Sequence, residues 1–528
     1  MGRKSQSKQT AKKVNTFGKE SSRFVLQKRK ELAILVDKVL RLTSVFQATT
    51  NVAKGWDHHL EIDAILKEII NIEYPQVKNS QKHRQNSINS YLKWLKENEV
   101  LFEGVEIAEF KDYDLGLKAT KDFSEGSLIL TVPSKVMMSE KNAKESELAE
   151  FISVDPLLQN MPNITLALFL LLEKSNPDSF WKPYIDSLPE KYSTILYFTA
   201  EELSELRPSP VFESSLKLFR SIARQYAYFY NKVHTLDLPV LKKLQDIFTF
   251  DNYRWAVSTV MTRQNNIQLA NDDVTAFIPL WDMCNHEHGK VWKRIKFCNN
   301  PVPIKAVYKH INYLMCEMQT CSSAALITTD FNKERDRGEC YALRDFKSGE
   351  QIFIYYGARP NADLFLHNGF VYPHNQHDSL TLTLGVSAGD PLCETRMALL
   401  SKLGLAGVTH YNLYRDNPIS AELLAFIRIF SMNQEELTKW SNQGTPGDLV
   451  SSDELSSQVV GADIDRRAYT YLLTRCKLLL ASYKKGGDPD NVHRKNIKLL
   501  KECEVQTLEG AIRYLTESLE KLPTEIQQ

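Results

Sequence analysis

The sequence predicts an α+β fold, because runs with the period of a strand and runs with the period of a helix occupy different stretches of the chain. Short β-rich runs separated by turn signals follow one another from Phe102 to Pro133, and two more lie at 278–286 and 352–359. Apolar residues recur at helical spacing over much of 139–250 and of 371–528. We therefore expect a β-rich core that carries a helical insert and is followed by an all-helical C-terminal region.

Composition and charge exclude several classes of protein. The 528 residues carry 66 Lys and Arg against 65 Asp and Glu, so no overall field would attract nucleic acid or an anionic membrane. The longest apolar run, Ile164 to Leu172, is well below the roughly 18 residues that a membrane span requires. The eight cysteines show no CxxC pair, and Cys316 and Cys321 lack a usual zinc spacing, so we expect free thiols and no metal site. We expect a monomer in the cytoplasm, with a nuclear share left open.

The N-terminal part of the chain is predicted to be a tail followed by helices. Residues 1–20 are rich in Lys, Ser, Gln and Thr, which predicts a disordered basic tail. The region 21–97 is predicted to be helical, with apolar residues at helical spacing around Leu35 and Leu66 and a last helix over Ser90 to Glu97. These amphipathic helices must pack on another part of the protein.

The first β-rich runs form a group of three. They are Val105–Ala108, Leu115–Ala119 and Ser127–Pro133. Gly116 lies in the second run, where a residue without a side chain would let the backbone approach a ligand closely. A glycine in an ordinary hairpin is the alternative explanation, and the sequence alone leaves both open.

Two later runs end in residues that carry chemistry. The run from Ile278 ends in Asn285–His286, and the run from Ile352 ends in Tyr355–Gly357. This pair of motifs, in this order, resembles the SET-domain methyltransferases, in which the two segments thread through one another around S-adenosyl-L-methionine. Such threading is rare among protein folds, so the pair is more specific than either motif alone. The resemblance implies that the two segments form one site.

Three segments identify the resemblance more specifically within the SET-domain proteins. They are Arg224–Tyr230, Phe248–Asn265 and Ile278–His286. They are similar, almost residue by residue, to the animal actin-histidine N-methyltransferases, which are related to the plant Rubisco lysine methyltransferase group. The resemblance implies a twisted β SET core at 98–370 that contains the helical insert 139–250, and an all-helical C-terminal substrate-binding lobe at 371–528.

The resemblance stops between Gly289 and Leu326 and then resumes in step. The segment 290–325 has no clear periodicity, so we expect an atypical insertion that leaves the domain as a mobile loop, or else translated intron sequence. If the segment is a loop, its deletion should preserve folding and activity.

The resemblance also implies a set of residues around S-adenosyl-L-methionine. Arg84 and Arg263 are cationic and could reach the carboxylate of that cofactor. At the first turn the sequence has Tyr113-Asp114-Leu115 where the family has Glu-Gly-Phe, and Asn368 replaces a Ser, so individual contacts differ there. The implied cofactor-binding residues are Arg84, Asp114, Leu115, Arg263, Asp282, Met283, Cys284, Asn285, His286, Asn368, Gly369 and Phe370.

The nucleophile decides the substrate, and the candidate residues favour histidine over lysine. A lysine amine has a pKa of about 10.4 and must lose a proton, whereas imidazole, at about 6.5, is mostly neutral at pH 7. Imidazole instead needs an acceptor for the N–H of one nitrogen while the other presents its lone pair. By resemblance, Asn265 supplies that acceptor where lysine enzymes have an aromatic residue, and Trp281 and Tyr356 hold the ring. Arg224 and Arg359 are candidates for gripping the substrate chain.

We therefore expect, by resemblance, a protein-histidine N-methyltransferase that acts on actin, with Tyr356, Asn265 and Trp281 as catalytic residues. Two alternatives stay open from the sequence. The same fold supports a lysine methyltransferase that acts on histone or another protein. The second alternative is a catalytically inactive SET fold that serves as an actin-binding scaffold. The insertion beside the Asn285–His286 motif keeps this alternative open. A helix-end cap is the alternative interpretation of Asn265.

Overall fold

A computed structural model describes most of the chain. The described residues are 27–44, 52–73, 84–269, 272–288, 329–415, 417–443, 446–451, 460–484 and 487–523. The predicted tail 1–20 and the predicted insertion 290–325 lie outside the described residues.

The chain folds into two compact units, each built from two separate stretches of sequence. The first comprises the chain up to Tyr192 together with Leu216–Gly357, and the second comprises Ser193–Ser215 together with Ala358–Gln528. The segment Ser193–Ser215 belongs to the helical insert predicted at 139–250, so one part of that insert groups with the C-terminal region. The boundary between the units follows the Tyr355–Gly357 motif directly.

The described part of the first unit contains ten strands, which form three small sheets. The sheet orders are β1-β2-β10-β7, β3-β9-β8 and β4-β6-β5. The strands are β1 (Val105–Phe110), β2 (Asp114–Ala119), β3 (Leu128–Pro133), β4 (Met138–Ser139), β5 (Gln264–Leu269), β6 (Asp272–Phe277), β7 (Asn285–His286), β8 (Thr329–Asn332), β9 (Arg337–Tyr341) and β10 (Gln351–Ile354).

The three β-rich runs predicted near the start of the core are β1, β2 and β3, and their prediction is confirmed. β1 and β2 form an antiparallel hairpin in which Phe110 lies opposite Asp114, so three residues make the turn. On β2, Leu115, Leu117 and Ala119 are buried on one face, which is the alternation expected of a sheet packed on a core.

Helices account for most of the sequence between α1 and β5. The helix predicted over Ser90 to Glu97 begins two residues earlier, at Ile88, after a 3-10 turn at Arg84–Ser87. The helices are α1 (27–44), α2 (Val52–Glu73), α3 (Ile88–Glu97), α4 (Glu140–Glu145), α5 (Ala149–Val154), α6 (Pro156–Asn160), α7 (Pro162–Ser175), α8 (Lys182–Ser187), α9 (Ala200–Glu205), α10 (Val211–Thr235), α11 (Pro239–Gln245) and α12 (Phe250–Arg263).

The apolar runs noted in the sequence are core helices. The run Ile164–Leu172 is buried along its whole length within α7, and Tyr226, Phe229 and Tyr230 of α10 are buried as well. No helix in the described part of the chain is long and apolar enough to cross a membrane. The hydrophobic effect of burying these faces holds the helices of the first unit together.

The second unit is mainly helical, as predicted, and it also contains one antiparallel strand pair that we did not predict. β11 pairs with β12 from Ser379 opposite Tyr414 to Thr383 opposite His410. Its elements after Gly357 are α13 (Asn361–Asp363), a π-helical turn (Leu364–Asn368), β11 (Ser379–Thr383), α14 (Cys393–Lys402), β12 (His410–Tyr414), α15 (Ala421–Ser431), α16 (Gln434–Gln443), α17 (Pro446–Val450), α18 (Ala462–Ser482) and α19 (Val492–Lys521).

A buried ion pair lies in the core of the second unit. Arg428 of α15 donates to both carboxylate oxygens of Asp465 on α18, at 2.6 and 3.0 Å. Its remaining Nη1 donates to the main-chain carbonyls of Asp448, Leu449 and Ser451 around α17. A buried charge is tolerated only with such full pairing, so this arginine fixes α15, α17 and α18 in one arrangement.

Candidate functional site

The two motifs singled out in the sequence pair with each other. β10 is the central strand here, because it pairs antiparallel with β2 on one side and parallel with β7 on the other. In the parallel pair, Phe353 lies opposite Asn285 and Ile354 opposite His286, and the N–H of Glu287 donates to the carbonyl of Ile354 at 3.1 Å. The prediction that the two segments lie together is confirmed.

Tyr356 follows β10, and both its backbone N–H and its side-chain hydroxyl bind to the Cys284–His286 segment. Its backbone N–H donates to Nδ1 of His286 at 3.1 Å, and its hydroxyl donates to the carbonyl of Cys284 at 2.7 Å. Because Nδ1 of His286 accepts a hydrogen bond, that ring is neutral and carries its proton on Nε2. The His286 side chain is buried, and its ring stacks on Tyr355. A neutral, buried histidine here orients Tyr356.

A backbone bend at Leu280 sets up the segment before the Asn-His motif. Leu280 has a φ of +70°, a value that a branched side chain rarely adopts, and Trp281–Met283 then form one 3-10 turn. The N–H of Leu280 donates to the hydroxyl of the fully buried Tyr91 at 2.6 Å. Tyr91 therefore stabilises the bend that turns Trp281 and Asp282 toward their contacts.

Arg263 and Asp282 form the buried charged pair of the site. Arg263 Nη1 donates to the Asp282 carbonyl at 2.7 Å and lies 3.4 Å from the Asp282 carboxylate, which also accepts from the Tyr184 hydroxyl at 2.6 Å. Burial raises the pKa of Asp282, whereas Arg263 and Tyr184 act against that rise. Burial lowers the pKa of Arg263, but the carboxylate and nearby tyrosines outweigh burial and leave that pKa raised. The arginine therefore stays charged.

Arg84 adds a second cation to the same region. Its Nη1 lies 2.7 Å from the carboxylate of Asp114, the first residue of β2, and its Nε donates to the carbonyl of Ser187. Burial and the neighbouring Arg263 both lower the pKa of Arg84. The structure thus brings together Arg84, Asp114, Arg263 and Asp282, and their role in binding the cofactor stays a prediction. Leu115 and Met283 are buried beside them in the chain.

Several buried polar atoms at this site show that it fits the predicted cofactor. Among the residues that the structure describes, Arg263 Nε, Asp282 Oδ1 and Asn285 Nδ2 are buried without a hydrogen-bond partner. Buried polar atoms are normally paired, so their clustering is typical of a binding site. The two arginines suit the carboxylate of S-adenosyl-L-methionine, and the free oxygen of Asp282 suits its ammonium group.

A cleft of about 740 Å³ lies next to this charged group and is lined by both Asn265 and Trp281. Asn265 is the second residue of β5, and its Nδ2 donates to the carbonyl of Arg263 at 3.1 Å. With the nitrogen so engaged, the amide offers its oxygen as an acceptor. A Cβ at Gly338 would come within 3.1 Å of the Trp281 ring, so the absence of a side chain at Gly338 leaves room for the indole.

Glu339 organises the opposite wall of the cleft. Its carboxylate accepts from Arg337 at 2.9 Å, from Asn332 at 3.2 Å and from the Tyr341 hydroxyl at 2.7 Å. Burial would raise the pKa of Glu339, but these three hydrogen bonds outweigh burial and lower that pKa. The carboxylate therefore stays ionised and holds the three side chains of β8 and β9 in place.

Five further predicted site residues take no part in the bonds that join Arg84 to Asp114 and Arg263 to Asp282. Arg224 is exposed on α10, and among the described residues it makes no hydrogen bond or ion pair with another predicted site residue. Arg359 belongs to the second unit, where its Nη1 donates to Asn368 Oδ1 at 2.7 Å. Gly369 has a φ of +75°, and its carbonyl accepts from Ser193 and Asn496, at 2.8 and 2.7 Å. Phe370 follows it in the second unit. The roles of Arg224, Arg359, Asn368, Gly369 and Phe370 stay predictions.

The sequence reasoning missed four residues of the site. Tyr91, Tyr184 and Tyr192 surround the arginines, and Gln351 opens β10. A lone tyrosine in a helix carries no local signal of such a role. Gln351 directly precedes the Ile352 run, and its polar side chain at a strand position was a usable signal.

Comparisons with known proteins agree with the fold. The model of the SET domain matches residues 114–357, and the model described as Rubisco LSMT substrate-binding matches 387–491. The solved structure of Rubisco LSMT bound to AdoMet has a TM-score of 0.62 at 20% identity, with 83% of this chain and 93% of that chain covered. The SET domain of LSMT bound to lysine and AdoHcy scores 0.63 at 21% identity, with 83% and 92% covered. These likenesses confirm the predicted fold.

Relatives with higher identity show the family. The actin-histidine N-methyltransferase of Danio rerio is 36% identical over 495 residues, which are 92% of this chain and 77% of the relative. The protein of the same name from Canis lupus familiaris is 37% identical over 467 residues, 87% of this chain and 73% of the relative. The chain therefore belongs to the actin-histidine N-methyltransferase family of SET-domain proteins.

Proposed function

We propose that this chain is an S-adenosylmethionine-dependent protein-histidine N-methyltransferase and that its protein substrate is actin. The names of its relatives support both the reaction and the substrate. The structural observation that carries the proposal is the cleft in which the Asn265 amide and Trp281 lie together beside the Arg263–Asp282 pair. This combination places a hydrogen-bond acceptor and an aromatic face where the target side chain would enter.

The charged part of the site is suited to hold the cofactor. S-adenosyl-L-methionine, when bound, supplies a methyl group on a sulfonium, and the transfer of that group depends chiefly on how well the acceptor is placed. Arg84 and Arg263 would hold its carboxylate, and Asp282 would accept from its ammonium group. Asn285 and His286 border the same region on β7. The assignments of Arg84, Arg263 and Asp282 follow from their charges, and those of Arg263 and Asp282 also follow from their unpaired buried atoms.

The cleft is suited to hold a neutral imidazole. The Asn265 oxygen would accept the N–H of one ring nitrogen, so that the other nitrogen presents its lone pair. Trp281 would cover one face of the ring, and Tyr356, fixed through Cys284, would border the path to the cofactor. Because imidazole is mostly neutral at pH 7, no base has to remove a proton before the attack.

Two arginines are the proposed contacts for the substrate chain. Arg224 is exposed on α10 and free to meet an acidic or carbonyl group of a protein partner. Arg359 is oriented by Asn368, which is the residue that stands in place of a serine in the family. We include both as substrate contacts in the proposal.

Transfer of a labelled methyl group to purified actin tests the proposal. We expect label to accumulate on actin with the parent chain and to fall strongly with Tyr356→Phe. Calorimetry with S-adenosyl-L-methionine separates the two ways in which transfer could fail. A chain that binds no cofactor would be an inactive scaffold, and a chain that binds it but labels histone instead of actin would be a methyltransferase with another substrate.

A further inference from the structure

Two side chains and a glycine meet on one face of the β1-β2-β10-β7 sheet. Gln351 lies opposite Lys118, and Phe353 lies opposite Asn285. Residues two apart on a strand share a face, so Gly116 on β2, Gln351 on β10 and Asn285 on β7 all point to the same side. The sheet register therefore gathers two amides around one glycine.

The distances above Gly116 show how tightly the amides approach. A Cβ at this position would lie 2.7 Å from Gln351 Nε2 and 3.0 Å from Asn285 Nδ2. Carbon and nitrogen atoms do not approach this closely without bonding, so any side chain at residue 116 would displace an amide. Of the two explanations that the sequence left open, close approach is therefore the better one, and the groups that approach are side chains of the protein itself.

Neither amide nitrogen has a hydrogen-bond partner among the residues that the structure describes. Gln351 is only 9% exposed, so water does not readily satisfy it. A buried polar group without a partner is strongly unfavourable. Rotation of either amide by 180° about its last bond would turn an oxygen toward the other nitrogen and would keep the same volume. Both nitrogens lie within 3.0 Å of the position that a Cβ at residue 116 would occupy, so a hydrogen bond between the two amides after such a rotation would give both side chains a partner.

We propose that Gln351 is a positioning residue that holds the Asn285 amide in the orientation needed for cofactor binding. The inference rests on the proposed function, because it takes Asn285 as a contact of S-adenosyl-L-methionine. Gln351 acts through Asn285 and does not itself touch the cofactor. Asn285 lies on a strand of only two residues, so its own backbone gives its side chain little support.

A double-mutant cycle on cofactor binding tests the inference. Calorimetry with S-adenosyl-L-methionine and no protein substrate would compare the full-length parent, Gln351→Met, Asn285→Ala and the double variant. We expect Gln351→Met to weaken binding about threefold to tenfold, the range of one lost hydrogen bond, and Asn285→Ala to weaken it at least as much. The double variant should bind within about twofold of Asn285→Ala alone, because coupled residues are not additive.

Lys118→Met is the matched control. Lys118 lies opposite Gln351 in the same sheet and pairs with Glu106, so its replacement changes the neighbourhood but leaves the two amides in place. We expect this variant to bind the cofactor like the parent. A similar loss in Lys118→Met would show that the sheet as a whole, and not the amide of Gln351, sets the affinity.

Additive losses in the double variant would overturn the inference, because they would mean that Gln351 contacts the cofactor independently. Parental affinity in Gln351→Met would overturn it too. If Gln351→Met does not fold, Gln351→Ala replaces it in the cycle, and failure of both to fold would make the residue structural. Absence of cofactor binding by the parent would contradict the proposed function itself, which is a different result.

Discussion

The hydroxyl of Tyr356 donates a 2.7 Å hydrogen bond to the main-chain carbonyl of Cys284, so the tyrosine of one motif is fixed by the backbone of the other. The bond leaves the aromatic ring at the end of β10 with one orientation. In the proposed mechanism, Asn285 on β7 binds the cofactor and Tyr356 guides the acceptor, so the bond joins segments with two separate roles.

Tyr356→Phe and Asn285→Ala should therefore have different effects. Loss of the hydroxyl frees the ring and should lower turnover up to about tenfold, the equivalent of one net hydrogen bond, with cofactor affinity nearly unchanged. Asn285→Ala should weaken cofactor binding itself. Calorimetry and initial rates on the same preparations give both quantities, and equal loss of binding in the two variants would contradict the separate roles.

Asn265→Ala should impair histidine methylation without affecting cofactor affinity. If the amide oxygen accepts the imidazole N–H, its removal leaves a buried donor unpaired at about 1 to 3 kcal/mol, which is roughly a tenfold to hundredfold loss in kcat/KM. Asn266→Ala is the matched control, since its side chain lines the same cleft but is exposed. Parental kcat/KM in Asn265→Ala would mean that Asn265 is only a cap.

Asn265→Phe should change the preferred acceptor. A phenyl ring replaces the amide with an apolar wall, which favours a neutral lysine amine over an imidazole that must be hydrogen-bonded. We expect the ratio of kcat/KM for a peptide with Lys at the target position to that for the His peptide to rise. Both peptides must be measured with both enzymes, and an unchanged ratio would show that Asn265 does not set specificity.

The stability of the second unit should depend on pH through Glu504. This carboxyl accepts from Ser209 at 2.7 Å and Tyr483 at 3.1 Å, and burial raises its pKa from 4.5 to about 7. The folded state therefore keeps a proton that the unfolded chain has already lost, so the free energy of unfolding falls as pH rises from about 4.5 to 7, by about 3 kcal/mol.

Glu504→Gln removes that loss, because an amide can still pair with both hydroxyls and never ionises. We expect the variant to unfold at a higher temperature than the parent at pH 8, with the difference shrinking toward pH 5. Glu502→Gln, at an exposed position on the same helix, should show no such trend. A difference between Glu504→Gln and the parent that does not vary with pH would contradict the assignment.

The sequence was sufficient to predict the elements that arise from a local pattern of residues. β1, β2 and β3 follow from alternation and turn residues. The adjacency of β7 and β10 was implied by the resemblance of the two motifs to SET-domain methyltransferases. β11 was missed although Leu380 and Leu382 alternate with threonines, since the helical patterns around it dominated the interpretation.

The rest of the site depends on contacts that no local pattern records. The bond from Leu280 to Tyr91 joins residues 189 positions apart, and the bond from Tyr184 to Asp282 spans 98. Neither Tyr91 nor Tyr184 carries a local signal of this role in the sequence. Tertiary packing alone decides which tyrosine hydroxyl meets which backbone or carboxyl group, so these supporting residues emerge only from the structure.

The most direct test of the central claim is residue-level mass spectrometry of actin after incubation with the chain and S-adenosyl-L-methionine. The account predicts one methyl group on a ring nitrogen of a histidine. It predicts about tenfold to hundredfold less of this product with Asn265→Ala at matched enzyme concentration and short reaction time. A methyl group on a lysine, or unmodified actin from a chain that binds the cofactor, would contradict it.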